Sequence, residues 1–142
     1  MQSVAVDSGP LVALFNRGDP WTPVILAWLE SNPKCRLFTT WPVLTEVCAL
    51  LTRRISSSAA LDFLRWIERG GVEVDVPVSA SFHHVLAITD RYQDIPFDLA
   101  DASVAELAAR RGIRDILTIV ADFDIYRDAR GKLLRNVLRM SR

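Results

Sequence analysis

Six carboxylates stand where one predicted element ends and the next begins. Asp7 closes the run Ser3-Val4-Ala5-Val6, ahead of the turn-forming Ser8-Gly9-Pro10. Glu46 lies one turn into the helix expected after the second strand, within or beside the apolar stripe of Val43, Val47, Leu50 and Leu51. Asp98 and Asp101 open an alanine-rich helix and, three residues apart, share a face. Asp122 and Asp124 follow the apolar run Ile116-Leu117-Thr118-Ile119-Val120. Three or four carboxylates brought to one point oppose each other's ionisation. A hard cation removes that conflict, and magnesium and manganese prefer oxygen ligands. An ion held this way activates water and neutralises charge on a phosphate, so the reaction class is phosphodiester hydrolysis. Asp7 is the first candidate metal ligand.

Each acid also has a plainer role. Asp98 and Asp101 complement a helix dipole from the first turn. Asp7 caps the helix that follows it, and Asp122 and Asp124 serve as turn residues. Glu46 has the weakest such explanation, because carboxylates rarely sit unpaired beside an apolar stripe. His83 and His84 read as ordinary helix residues, and the four tryptophans as core packing. There is no glycine-rich phosphate loop and no Gly-x-Ser-x-Gly elbow.

For the acids to meet, the elements around them must form a parallel sheet. Strand one covers about Val4 to Val6, and a helix runs from about Leu11 to Asn16 with Pro10 in its first turn. Asp19 caps the next helix with Pro20 at its first position, and Val24, Ile25, Trp28 and Leu29 make its apolar stripe. Arg36 to Thr39 is a short strand, Thr40 a cap, and Pro42 to Arg54 a helix. Ser56-Ser57-Ser58 caps a helix bearing Leu61, Phe63, Leu64 and Ile67. Val72 to Val76 alternates apolar and charged residues, an edge strand with one open face. Ala80 to Tyr92 and Asp98 to Ala109 are helical, and the latter ends at Gly112. Ile116 to Val120 is the last central strand, with a hairpin or edge strand around Leu133 to Val137. Strands alternating with helices give an α/β fold, a parallel sheet with helices on both faces. Ligands of such sheets bind outside the strands' carboxyl ends, where Asp7 stands.

Composition sets the outer limits. A chain of 142 residues, half of them apolar, is long enough to bury a sizeable core and reads as one domain, 1–142. No stretch approaches the roughly 18 apolar residues of a membrane span, and with no secretory signal the cytoplasm is the expected compartment. Cys35 and Cys48 lie in different elements and act as small apolar side chains rather than a disulfide or zinc site. The formal net charge is zero, yet Arg127, Arg130, Lys132, Arg135, Arg139 and Arg142 face a single acid, Asp128, at the C-terminal end. Such a segment suits nucleic acid, an acidic partner or a solvated terminal face.

Four stretches, spread from one end of the chain to the other, resemble the PIN domain, and within it the VapC-like toxins of prokaryotic toxin–antitoxin pairs. They are Val4 to Phe15, Thr39 to Val47, Asp98 to Ser103 and Ile116 to Arg127. The resemblance implies a three-layer α/β/α sandwich around a parallel sheet, acids at the sheet's carboxyl end, and magnesium- or manganese-dependent endoribonuclease activity. Carried across, the family's first acid is Asp7, the second Glu46 and the third Asp101. Asp98 matches an additional acid of relatives with the Asp-Leu-Ala-Asp-Ala pattern. Asp7 and Asp101 would be the principal metal ligands, with Glu46 and Asp98 binding directly or through water. Relatives read Thr-x-Asp-x-Asp-Phe after the last central strand. Here Val120 replaces the first of those aspartates, and Asp122 matches the second. The implied partners are an RNA substrate and an antitoxin protein, the arginine-rich segment contacting either. A homodimer or antitoxin surface on Trp21 to Leu29 and Ser56 to Trp66 is a family-level expectation. Val120 also supports an alternative, a catalytically impaired PIN-like module kept for RNA or partner binding. A third reading, an unrelated α/β domain whose acids are only caps, predicts dispersed carboxylates.

Overall fold

The structure is a computed structural model that describes residues 2–140. In chain order its elements are β1 (Ser3–Val6), α1 (Ser8–Phe15), α2 (Thr22–Ser31), β2 (Arg36–Thr39), α3 (Trp41–Arg54), α4 (Ser57–Glu68), β3 (Glu73–Val74) and α5 (Ser81–Arg91). Then come α6 (Leu99–Arg111), β4 (Asp115–Leu117), a 3-10 turn (Asp122–Asp124), β5 (Arg135–Asn136) and α7 (Val137–Met140). Among the described residues the five strands are all parallel, in the order β3-β2-β1-β4-β5, and seven helices flank them.

Val4, Ala5 and Val6 are fully buried, as the middle strand of such a sheet must be. From β1 the chain steps outward to β2 and β3, then returns to set β4 on β1's other side. The order reverses between β1 and β4, and the carboxyl ends of these two strands form the crevice where open α/β sheets bind ligands. One apolar core joins β1, α1, α3 and α6 through Leu11, Val43, Val47, Val104 and Leu107.

Local rules account for the elements that bear on the site. Thr40 caps α3 by accepting the Val43 N–H at 3.4 Å. Asp98 caps α6, and Gly112 ends it in the left-handed conformation at φ 69°, the geometry glycine adopts without a Cβ clash. The N-cap residue Ser56 starts α4 by accepting from Ala59.

The structure departs from the sequence reading in several places. α2 begins at Thr22, because Asp19 accepts the Trp21 N–H in a turn of its own, and Val24 on α2 is exposed. The edge strand β3 is only Glu73–Val74, and the expected alternation fails at Asp75. That carboxylate is 3% exposed because Arg110 and Arg111 pair with it. β4 stops at Leu117, so Val120 is not the end of a longer core strand but a loop residue, 40% exposed. Of the two readings of the last segment, hairpin or edge strand, the structure has the edge strand, parallel to β4. Of the tryptophans, Trp28 is buried and Trp21 and Trp66 half-buried, but Trp41 is 61% exposed.

Candidate active site at the sheet's carboxyl edge

The crevice is built from the ends of β1 and β4 and the starts of α1, α3 and α6. α1 begins at Ser8 with no intervening turn, and Asp7 takes the N-cap position with extended backbone. Its side chain makes no capping hydrogen bond. Gly9 makes this junction possible, since a Cβ there would lie 2.6 Å from Ile119 Cγ1 in the loop after β4. Asp7 is 3% exposed and fixed on both oxygens. Thr118 Oγ1 donates to Oδ2 at 2.7 Å, and Ser8 Oγ lies 3.2 Å from Oδ1. The same Ser8 hydroxyl donates to Oε1 of the half-buried Glu46 in a short contact, so it bridges two carboxylates with its single proton.

Asp98 and Asp101 meet in a reciprocal capping box. The Asp101 N–H donates to Asp98 Oδ1 at 2.9 Å, and the Asp98 N–H donates to Asp101 Oδ2 at 3.1 Å. Capping is therefore one of their roles, and it holds both acids at the mouth of α6. A buried hydroxyl pair, Thr40 Oγ1 and Ser103 Oγ at 2.6 Å, ties the start of α3 to the first turns of α6. Ser103 completes the link by donating to the Ala100 carbonyl at 2.6 Å.

The electrostatics make these acids one set. Burial pushes the Asp7 carboxyl above its ordinary range, against the lowering pull of the Thr118 and Ser8 hydroxyls and the amides of Ser8 and Gly9. Burial also raises Glu46; Ser8 opposes this, and the charges of Asp98 and Asp7 add to it. Asp101 is pushed up to about 8, first by burial and then by the charges of Asp7 and Asp98. Asp122 opens the 3-10 turn, half-buried, and no side-chain hydrogen bond or ion pair links it to the other four. Asp124 is held away by an ion pair with Arg139.

The donor set fits a hard cation by its chemistry: all oxygen, negative and mutually destabilised. Among the described residues, no three such groups already stand close enough together to grip one ion, and Asp98 and Asp101 are turned into their capping box. Ser8 and Thr118 hold the candidate carboxylates, and sequence reading did not single them out. Thr118 had a visible signal, a lone hydroxyl in an otherwise apolar run, and Ser8 directly follows the first acid.

The raised carboxyls predict a pH-dependent stability of the metal-free protein. An acid whose pKa is higher in the folded state stabilises it fully below about pH 4, the value of an unperturbed carboxyl. That contribution is lost as pH rises through the folded value, about 8 for Asp101. The melting temperature at pH 8.5 should be lower than at pH 5 by about 5 °C, discounting for solvent screening. Excess magnesium should recover most of that loss at pH 8.5. Scanning fluorimetry checks this; a melting temperature flat across the range and indifferent to magnesium contradicts the coupling.

The C-terminal cations are partly spent inside the fold. Arg135 pairs with Asp115, Arg139 with Asp124, and Arg127 donates to the carbonyls of Asp124, Ile125 and Tyr126. Among the described residues Arg130 and Lys132 carry no ion pair, and Arg142 lies outside the described residues. Two concavities elsewhere, one walled by Ile88, Tyr92 and Tyr126 and one by Trp21, Trp28 and Leu138, contain none of the predicted site residues. Charge, not the depth of a cavity, marks the site.

An all-parallel sheet whose switch point gathers carboxylates from three elements defines a class of α/β domain built around an acidic crevice. The PIN domain profile matches residues 4–130, and the chain belongs to the PIN domain family. The chain is 27% identical over 114 residues to Ribonuclease VapC26 of Mycobacterium tuberculosis, a match covering 80% of this chain and 84% of that one. Its fold is similar to the crystal structure of VapC20 from the same organism, a Sarcin-Ricin loop cleaving toxin. The TM-score is 0.78 at 22% identity, over 85% of this chain and 92% of that one. It is also similar to VapBC2 from Rickettsia felis, bound to a DNA fragment from its promoter, with a TM-score of 0.69 at 12% identity over 95% and 97% of the two chains.

Proposed function

We propose that this protein is a metal-dependent endoribonuclease and the toxin of a toxin–antitoxin pair. It would act on RNA in the cytoplasm, partnered by an antitoxin protein and a second copy of itself. The observation that carries the reading is the placing of Asp7 and Glu46 on one Ser8 hydroxyl, and of Asp98 and Asp101 in one capping box, at the switch point. The reading is supported by membership of the PIN family and by the likeness to Ribonuclease VapC26. Among the described residues, no helix is long and apolar enough to cross a membrane.

In this reading Asp7 and Asp101 hold a magnesium or manganese ion, and Glu46 and Asp98 act directly or through water. The ion supplies a polarised water and charge neutralisation at the phosphate. The chain's own residues do the rest. Thr118 and Ser8 fix the two oxygens of Asp7, so this ligand does not have to be ordered when the ion arrives. Ser8 occupies Oε1 of Glu46 and leaves Oε2 to accept a proton from water, a task favoured by the raised affinity of that carboxyl. Asp122 is the further acid that the loop after β4 can bring.

Val120 favours a second reading, in which the chemistry is lost and binding retained. It leaves the loop one carboxylate short of the pattern the resemblance implies, with an exposed apolar side chain in its place. Cleavage decides between the two. Purified protein with manganese should cut a single-stranded RNA, and EDTA should return the signal to background. Binding without cleavage under any divalent ion would overturn the enzyme reading.

A further inference from the structure

The exposed ring of Trp41 has no structural explanation within the fold. Among the described residues no other ring packs on it and no cation lies over it, whereas the other three tryptophans are buried or half-buried. An indole is among the side chains that gain most from burial. This one is 61% exposed at the first position of α3.

Its position follows from the sheet register. β2 ends level with β1, since Ala5 pairs with Phe38 and Thr39 Oγ1 donates to the Val6 carbonyl at 2.9 Å. Trp41 therefore emerges just past the carboxyl edge, beside the strand end that carries Asp7. The preceding residue, Thr40, is tied to Ser103 on α6, the helix capped by Asp98. Five residues further along α3 is Glu46. Trp41 thus opens one acid-bearing helix and directly follows the residue tied to another.

We propose that Trp41 is a stacking platform for an unpaired nucleobase next to the cleaved phosphodiester. This specificity residue selects single-stranded or looped RNA over duplex. The inference rests on the ribonuclease reading. Aromatic faces accept any base once it is unstacked, which makes such a contact strong and tolerant of sequence.

The test measures affinity for a labelled single-stranded RNA by anisotropy in calcium, and cleavage of the same RNA in manganese. Trp41→Ala should weaken binding about tenfold, within the range of one base–aromatic stack. Trp41→Phe should bind nearly as wild type. The melting temperatures of both variants should match wild type. RNA should quench tryptophan fluorescence in wild type, and the quench should largely vanish in Trp41→Phe despite retained affinity. An affinity unchanged in Trp41→Ala, or equal losses in the alanine and phenylalanine variants, would overturn the platform. If wild type binds RNA without cutting it, the nuclease reading fails while the stacking result still stands or falls on affinity. A wild type that binds no RNA overturns both.

Discussion

Asp7→Asn should abolish metal-dependent RNA cleavage, lowering it by at least about 100-fold, without lowering the melting temperature. The two halves of this result come from the same geometry. Asp7 is 3% exposed and is placed by hydroxyls on both oxygens, so its charge is aimed at the crevice and has few other uses. Asparagine has the same shape and keeps an oxygen for the Thr118 hydroxyl, so the junction of β1 and α1 survives. It removes a buried charge that pushes up Glu46 and Asp101. The metal-free variant should therefore be at least as stable as wild type at pH 8, where the carboxyls repel most. Cleavage and melting measured on one preparation check both halves. An Asp7→Asn protein that still cuts RNA removes Asp7 from the machinery. One that no longer folds means the residue is structural.

The largest expected loss of stability is far from the acids, at Arg110. This side chain donates to both oxygens of Asp75, in a short contact to Oδ2 and at 3.2 Å to Oδ1. It also donates to both oxygens of Glu106, at 2.9 and 3.1 Å. Both acids are buried. Replacing Arg110 with Met leaves Glu106 without its cation and Asp75 with only Arg111, whose Nε is 2.7 Å away. Stranding buried charge costs about 3 to 5 kcal/mol. The surviving Arg111 contact places the expected value near the lower end, about a 10 °C fall in melting temperature. Burial on its own would raise the Asp75 carboxyl, but hydrogen bonds and charge from Arg110 and Arg111 hold it below its ordinary value. Stability from a lowered carboxyl is present above about pH 4 and lost as pH falls through the folded value. The penalty of Arg110→Met should be full at pH 7 and shrink at pH 3. A melting temperature unchanged at pH 7 would mean that the network contributes nothing.

Elements governed by local rules were legible in the amino-acid order. The unbroken Val4-Ala5-Val6 run announced a doubly covered strand, Thr40 a cap, and Asp98 and Gly112 the two ends of α6. Glu46 beside an apolar stripe was a correct sign of an unusual environment. Three kinds of feature were not legible. Asp75 broke its strand's alternation because its partners lie 35 and 36 residues away, and period two reports which face is covered, not what reaches it. Thr118 to Val120 reads as strand because Ile119 and Val120 prolong the apolar run, but the Thr118 hydroxyl turns to Asp7 and pairing with β1 ends at Leu117. Ser8 and Trp41 are ordinary residues whose meaning comes from position, one between two carboxylates and the other left uncovered at the crevice.

In the proposed function, carboxylates from β1, α3 and α6 act as one metal-binding set although Val120 stands where the family resemblance implies an acid. Calorimetric titration of manganese into the wild type and into Asp101→Asn at pH 7.5 tests it most directly. Saturable binding is expected in the wild type and its loss in the variant, with both proteins folded. Equal binding in the two, or none in the wild type, would contradict it.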